Sequence, residues 1–215
     1  MEKIIIPFGE ECYNCQSLDA KFSKNNLRKC AFPFDYVGHT YVENIHNNIF
    51  DLINTNDYNL SANDFILKQF NDNNDNNDKF YMTHKKYEFK YWHDICNDDY
   101  ITSPDVLQFV DKYNRRYARL KYYLNSNNYN IIILTVNHFD NIYTKKNKTH
   151  AIYELFNLLK SYNNNIKLIA VNFGEDIYNS NGLQFINLSV NFKLDFFESK
   201  QEFTKKLNNF VESAF

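Results

Sequence analysis

Apolar and polar residues follow two different periods along the chain, most clearly in its second half. The runs 130–136 (NIIILTV) and 166–173 (IKLIAVNF) are almost continuously apolar and rich in β-branched residues, which is typical of strands buried on both faces. Residues 149–162, between them, carry apolar positions at helical spacing. A third strand is predicted at 183–190 and a closing amphipathic helix at 200–215. This alternation favours a largely parallel sheet covered by helices.

The first half of the chain is less regular. A short apolar strand is predicted at 3–8, and residues 40–54 carry apolar side chains at helical spacing. A shorter helical piece is predicted at 63–70, followed by two short strands at 79–82 and 87–91. The intervening tract 71–78 (NDNNDNND) is polar and unpatterned, so it is predicted to be a surface loop.

The segment 103–124 carries a clear helix start. Ser103 is a good N-cap residue, Pro104 suits the first helical position and Asp105 adds a first-turn acid. The side chains predicted to be buried by this helix are Val106, Leu107, Val110, Tyr113, Tyr117, Leu120 and Leu124.

Together these elements predict a single α/β domain over residues 1–215. We expect three layers around a mostly parallel sheet of four or five strands. The irregular region 30–100, with its helical and hairpin pieces, is predicted to lie over the carboxyl edge of that sheet. Open α/β sheets place their functional sites at this edge.

Composition narrows the functional classes. The chain is 44% hydrophobic and 18% aromatic, with Gly 4, Pro 3 and about 35 Asn, a bias typical of an AT-rich genome. The net charge of −2 is spread along the chain, which argues against a nucleic-acid partner. No apolar run approaches the roughly 20 residues of a membrane span. With no signal-peptide pattern and four cysteines, we expect a cytoplasmic protein with reduced thiols and no cofactor.

The candidate chemistry begins at the end of the first strand. This strand stops at Gly9, and Cys12 follows where a helix is expected to begin. A helix N-terminus favours the thiolate form of a cysteine, which is the nucleophilic form. The best candidate base is His93, flanked by Trp92 and Asp94, because a nucleophilic thiol needs an oriented histidine to accept its proton.

A second carboxylate is a further candidate for orienting the His93 ring. Asp35 stands between Phe34 and Tyr36, where an unpaired carboxylate among aromatic side chains would be costly. Asp94 is next to His93 in the sequence and would have to bend back to reach its ring.

Several short motifs then occur in a characteristic order. They are Gly9-x-x-Cys12 after a strand, Leu27-Arg28, Pro33-Phe34-Asp35-Tyr36, Trp92-His93-Asp94 and Arg115-Arg116-x-x-Arg119. In this order, over residues 3–136, the chain resembles the DUF1796 family, which is labelled as papain-like cysteine peptidases. Tyr36 stands where that family usually has a tryptophan.

The resemblance implies roles for particular residues. Cys12 would be the nucleophile and His93 its partner, with Asp35 and Asp94 as supporting acids. Arg116 and Arg119 would hold an anionic group or brace the site, and Arg28 and Trp92 complete the expected substrate-binding residues. The implied substrate is a peptide or a small amide or ester, with no metal.

Three other interpretations remain open from the sequence. Cys12 and Cys15 form a C-x-x-C pair after a strand, which also occurs in thiol-redox proteins. Cys12, Cys15 and Cys30 with a histidine could bind zinc. A non-catalytic interaction protein of a virus or AT-rich microbe would keep residues 33–36 and 92–93 as structure only.

Overall fold

The computed structural model describes residues 2–9, 31–35, 37, 41–71, 78–91, 103–136, 145–171, 179–186, 202, 205–207 and 209. Eight strands and three α-helices with defined bounds lie within these ranges, and residues 202, 205–207 and 209 are helical as well. The strands are β1 (Glu2–Gly9), β2 (Phe65–Asn71), β3 (Asp78–His84), β4 (Lys90–Tyr91), β5 (Tyr129–Val136), β6 (Ile166–Val171), β7 (Asn179–Ser180) and β8 (Leu183–Ile186). The helices are α1 (Val42–Asn54), α2 (Ser103–Leu124) and α3 (Lys145–Tyr162).

The main sheet has five strands in the order β1-β5-β6-β8-β7. The pairs β1–β5, β5–β6 and β6–β8 are parallel, and only β7 runs antiparallel to its neighbour β8. The α/β class and the mostly parallel sheet predicted from the sequence are therefore confirmed. The outermost strand β7, only two residues long, was not predicted, because two polar residues carry no strand period.

Side chains on the two faces of this sheet form rows across the strands. On one face Ile6, Ile133, Leu168 and Leu183 are in register and all are buried in one hydrophobic cluster. On the other face Ile5, Ile132, Leu134, Ile169 and Val171 are buried as well. Burial of both faces explains why β5 and β6 read as continuous apolar runs rather than alternating ones.

The three helices contribute to the cluster that contains Ile6. Each does so through apolar residues at helical spacing, among them Ile45 and Ile49 of α1, Tyr113, Tyr117 and Leu120 of α2, and Ile152, Leu155 and Leu159 of α3. The predicted bounds of α2 are confirmed. Leu107, predicted to be buried, is 59% exposed, because it lies about 120° around the helix from Tyr113, which is on the packed face.

A second, antiparallel sheet has the order β2-β3-β4. The prediction of a helical piece at 63–70 is wrong: a 3₁₀ turn at Ala62–Asp64 is followed by strand β2. The 3₁₀ turn is capped by Asp64, which accepts hydrogen bonds from the backbone and hydroxyl of Ser61. Seven-residue pairing with β3 outweighs the weak local helical pattern, as tertiary context often does for short segments.

The second sheet and residues 31–35 lie near the carboxyl end of β1. The Phe34 ring packs edge-on against Phe8, near the end of β1, at 4.8 Å, and against Phe89, just before β4, at 5.5 Å. These contacts agree with the predicted position of the region 30–100. The predicted helix that begins near Cys12 lies outside the described residues, as does most of the predicted closing helix, of which residues 202, 205–207 and 209 are helical.

Candidate functional site

The candidate site is built on a tight turn that carries Asp35. The Asp35 N–H donates to the Phe32 backbone oxygen at 3.2 Å, and the Asp35 Oδ2 accepts from the Phe32 N–H at 2.8 Å. Pro33, second in the turn, favours this geometry because its ring fixes φ near −65°. The Pro-Phe-Asp motif therefore closes a turn with both the backbone and the side chain of its aspartate. Asp35 is fully buried.

Arg116, on α2, fixes this turn to the helix. Its Nη1 donates to the Asp35 backbone oxygen at 3.4 Å and to the Tyr113 hydroxyl at 3.3 Å. The guanidinium also lies 5.0 Å from the centroid of the Tyr113 ring, at a distance where the ring face attracts a cation. Arg116 is buried, and these contacts compensate part of the cost of desolvating its charge.

Aromatic side chains surround the Asp35–Arg116 pair. Tyr113 packs against Tyr91, the last residue of β4, at 4.5 Å. Tyr117 packs edge-on against Phe34 at 6.3 Å. The pair is thus enclosed by hydrocarbon, which strengthens its polar contacts relative to the same contacts in water.

The structure brings together only some of the residues predicted for the site. Asp35 and Arg116 are in direct contact. Arg119 lies one turn further along α2, and its buried Nε has no hydrogen-bond partner among the described residues. The remaining predicted site residues, Cys12, Arg28, Trp92, His93 and Asp94, lie outside the described residues, so the contact between Cys12 and His93 stays a prediction. Cys15 and Cys30 of the redox and zinc interpretations lie outside them as well.

His84, at the end of β3, forms a polar site that the sequence did not reveal. Its Nδ1 accepts from the backbone N–H groups of Lys86 and Tyr87 at 3.1 and 3.3 Å. The ring packs against Phe65 at 5.2 Å. Burial lowers the pKa of His84 to about 4, against a smaller opposing effect of Asp64. The imidazole is therefore neutral near pH 7 and closes the turn between β3 and β4. Its hydrogen-bond donors are its own sequence neighbours, but its burial depends on packing against Phe65 from another strand, which no local pattern predicts.

A second polar network links α1 to the same turn. Asp51 accepts hydrogen bonds from Lys86 Nζ at 2.5 Å and from the Tyr87 hydroxyl. Burial favours the neutral form of Asp51, but these two hydrogen bonds outweigh it and lower the pKa of Asp51. Burial and the contact with Asp51 raise the pKa of Tyr87.

Tyr58 extends this network towards α2. Its hydroxyl accepts from Asn48 Nδ2 at 2.8 Å, and its ring packs against Tyr117 at 5.0 Å. Burial raises the pKa of Tyr58 to about 12. The phenols of Tyr58 and Tyr87 are therefore neutral hydrogen-bonding groups that join α1, α2 and the second sheet.

The described ranges contain neither a metal-binding cluster nor a membrane-spanning helix. No group of three or more His, Cys, Asp or Glu side chains within them has the geometry to hold a metal ion. None of the helices within them is long and apolar enough to cross a membrane. We found no significant match to this chain among protein-family models, curated proteins or solved structures.

Proposed function

We propose that this protein is a thiol-dependent hydrolase or acyl-transfer enzyme in which Cys12 is the nucleophile and His93 the general base. The Phe34 ring is the observation that carries the proposal. It contacts Phe8, which is four residues before Cys12, and Phe89, which is four residues before His93. The side chain next to Asp35 is thus in contact with both segments that lead into the two predicted reactive residues.

Chain connectivity limits how far the reactive residues can lie from this cluster. Consecutive Cα atoms are 3.8 Å apart, so the Cα of Cys12 is at most about 11 Å from that of Gly9. In the same way the Cα of His93 is at most about 8 Å from that of Tyr91. Tyr91 packs against Tyr113, which binds Arg116. Gly9 follows Phe8, which packs against Phe34 next to Asp35, so both tethers start close to the Asp35–Arg116 pair.

The proposed reaction follows the chemistry of a thiol nucleophile. His93 removes the thiol proton of Cys12, and the thiolate attacks the carbonyl carbon of a peptide, amide or ester. Backbone N–H groups near residues 10–13 would stabilise the oxyanion. His93 then protonates the leaving group, and water or another acceptor releases the acyl group from sulfur.

Asp35 and Arg116 support this site in different ways. Arg116 is engaged with the turn and with Tyr113, which favours a bracing role over direct contact with substrate. Arg119, whose Nε is not engaged within the described ranges, is the better candidate for an anionic group of the substrate. The buried carboxylate of Asp35 is a candidate for orienting the His93 imidazolium, as acids do in other nucleophilic sites.

The proposal is tested by the pH dependence of alkylation at each cysteine. With iodoacetamide and peptide mass mapping, Cys12 is expected to be alkylated at pH values well below the ordinary thiol pKa of about 8.5. Cys15, three residues away, is the matched control and should react with an ordinary profile. His93→Asn should return Cys12 to that ordinary profile and abolish hydrolysis, whereas Cys15→Ala should leave both unchanged.

Two other experimental outcomes would contradict the proposal and favour a different function. Identical alkylation profiles for Cys12 and Cys15, unchanged by His93→Asn, would leave a non-catalytic interaction protein. A reversible disulfide between Cys12 and Cys15 with activity insensitive to His93→Asn would indicate a redox protein instead.

A further inference from the structure

The turn between β7 and β8 contains an unusual dipeptide for this chain. Ser180 pairs with Leu183 in the antiparallel ladder, so only Asn181 and Gly182 form the turn. Although the chain has about 35 Asn, this is its one Asn-Gly pair. Asn and Gly both suit tight turns, Gly because it adopts positive φ without a Cβ clash.

The geometry of this turn leaves the amide of Asn181 accessible. Asn181 is exposed. Gly182 has φ +102°, and its carbonyl oxygen accepts from the Leu168 N–H at 2.8 Å. The Gly182 N–H donates no hydrogen bond to another described residue. The one atom that would have to attack the Asn181 side chain is therefore not held in the hydrogen-bond ladder, and it has no neighbouring Cβ to shield it.

We propose that Asn181 is the principal site of spontaneous deamidation in this protein. The backbone nitrogen of Gly182 loses its proton and attacks Cγ of Asn181, and the side-chain nitrogen leaves as ammonia. The five-membered succinimide that forms is then opened by water. Opening at one carbonyl gives aspartate, and opening at the other gives isoaspartate, in which the backbone runs through the former side chain. Water is the only co-reactant.

The two products have different structural consequences. Aspartate keeps the backbone unchanged and adds a negative charge near Lys160, whose Nζ lies 3.4 Å from the position that a Cβ on Gly182 would take. Isoaspartate adds one backbone carbon to a two-residue turn. Leu183 is buried in the core, and the Gly182 carbonyl oxygen accepts a hydrogen bond from Leu168. The extra backbone length must therefore be accommodated by β7. We therefore expect isoaspartate to detach β7 from the edge of the sheet.

A matched site elsewhere in the chain separates the effect of the fold from that of exposure. Asn125 is also exposed and is followed by the small residue Ser126. Its side-chain oxygen, however, accepts a hydrogen bond from the Tyr162 hydroxyl, and the Ser126 N–H donates to the Tyr123 backbone oxygen at 3.0 Å. Both reacting groups are held, so the folded protein should protect Asn125 while leaving Asn181 reactive.

The experiment is incubation of the full chain in mildly alkaline ¹⁸O-labelled water, followed by tandem mass mapping and isoaspartyl-methyltransferase labelling. The peptide with Asn181 should gain ¹⁸O and methyl label several-fold faster than the peptide with Asn125. Fragment spectra must place the label at Asn181 and not at Asn179 of the same peptide. Asn181→Gln, which cannot form the five-membered ring, should lose the label.

A denatured reference makes the result decisive. In urea, Asn181 should react at nearly its native rate, whereas Asn125 should accelerate. The proposal is overturned if native Asn181 keeps its amide, if Asn125 reacts as fast in the folded protein, or if Asn181→Gln retains the label.

Discussion

Arg116 donates a hydrogen bond to the backbone oxygen of Asp35, 81 positions earlier in the chain. This contact joins the long helix α2 to the turn at residues 32–35. The same turn also contacts the end of β1, because Phe34 packs against Phe8. Residues that are scattered along the sequence thereby form one buried polar site at the carboxyl end of a strand.

Replacing Arg116 by methionine should destabilise the fold. The change removes the donor to the Asp35 oxygen and the cation above Tyr113, and a buried acceptor left without its donor costs about 1–3 kcal/mol. Urea unfolding measures the effect. Arg115→Met is the matched control, because Arg115 is the neighbouring residue and is exposed; equal losses in the two variants would contradict the bracing role.

Asp35 should tolerate asparagine better than alanine. The amide oxygen of asparagine can still accept from the Phe32 N–H, whereas alanine leaves that donor unsatisfied. We expect a loss of about 1–3 kcal/mol for Asp35→Ala and a smaller one for Asp35→Asn. If Asp35→Asn keeps the stability and loses hydrolysis, the carboxylate acts in catalysis as well as in the turn. Equal stability losses would show that the turn does not depend on this acceptor.

His84 should make the protein less stable as the pH falls. Its folded pKa of about 4 lies below the ordinary histidine value of 6.5, so the unfolded state binds more protons between these values. Stability is therefore full above pH 6.5 and declines towards pH 4, with a loss of about 1–2 kcal/mol by pH 5. His84→Asn, which keeps an acceptor for the turn, should flatten this decline in urea unfolding.

The effect of His84 is isolated by comparing the variant with the unaltered protein. The unaltered protein, unfolded in urea over the same pH range, gives the decline against which His84→Asn is compared. A decline between pH 6.5 and pH 5 that survives in His84→Asn would assign the effect to another group.

Tyr87→Phe should weaken the attachment of α1 to the second sheet. The hydroxyl donates to the partly buried Asp51, and its removal leaves that carboxylate with Lys86 as its remaining described partner. We expect Tyr87→Phe to lose about 1–2 kcal/mol. Because Asp51→Ala removes the same hydrogen bond, the double variant Asp51→Ala/Tyr87→Phe should lose less stability than the sum of the two single variants. A double-mutant cycle in urea measures this coupling, and strict additivity would mean that the two groups do not act together.

The amino-acid sequence by itself determined the sheet and its helices. Two local patterns made this possible. Strands β5 and β6 are buried on both faces and therefore need continuous apolar runs, and α1 and α2 need apolar residues at helical spacing to pack in the core. The same local logic misassigned 63–70 as helical, because β2 is held by pairing with β3. Leu107 shows a second limit, since only the packed face of α2 decides which apolar residues are covered.

The candidate site was also predictable only in part from the sequence. Sequence motifs drew attention to Asp35 and Arg116, but only the tertiary structure showed that they touch and that Asp35 closes its own turn. The Asp51–Tyr87 pair could not be found from the sequence, because its two residues lie 36 positions apart. The low pKa of His84 depends on burial, to which Phe65 of another strand contributes. Local periodicity determines which segments are helices or strands; burial and hydrogen bonding between distant residues arise only when those segments pack together, and they decide which polar groups matter.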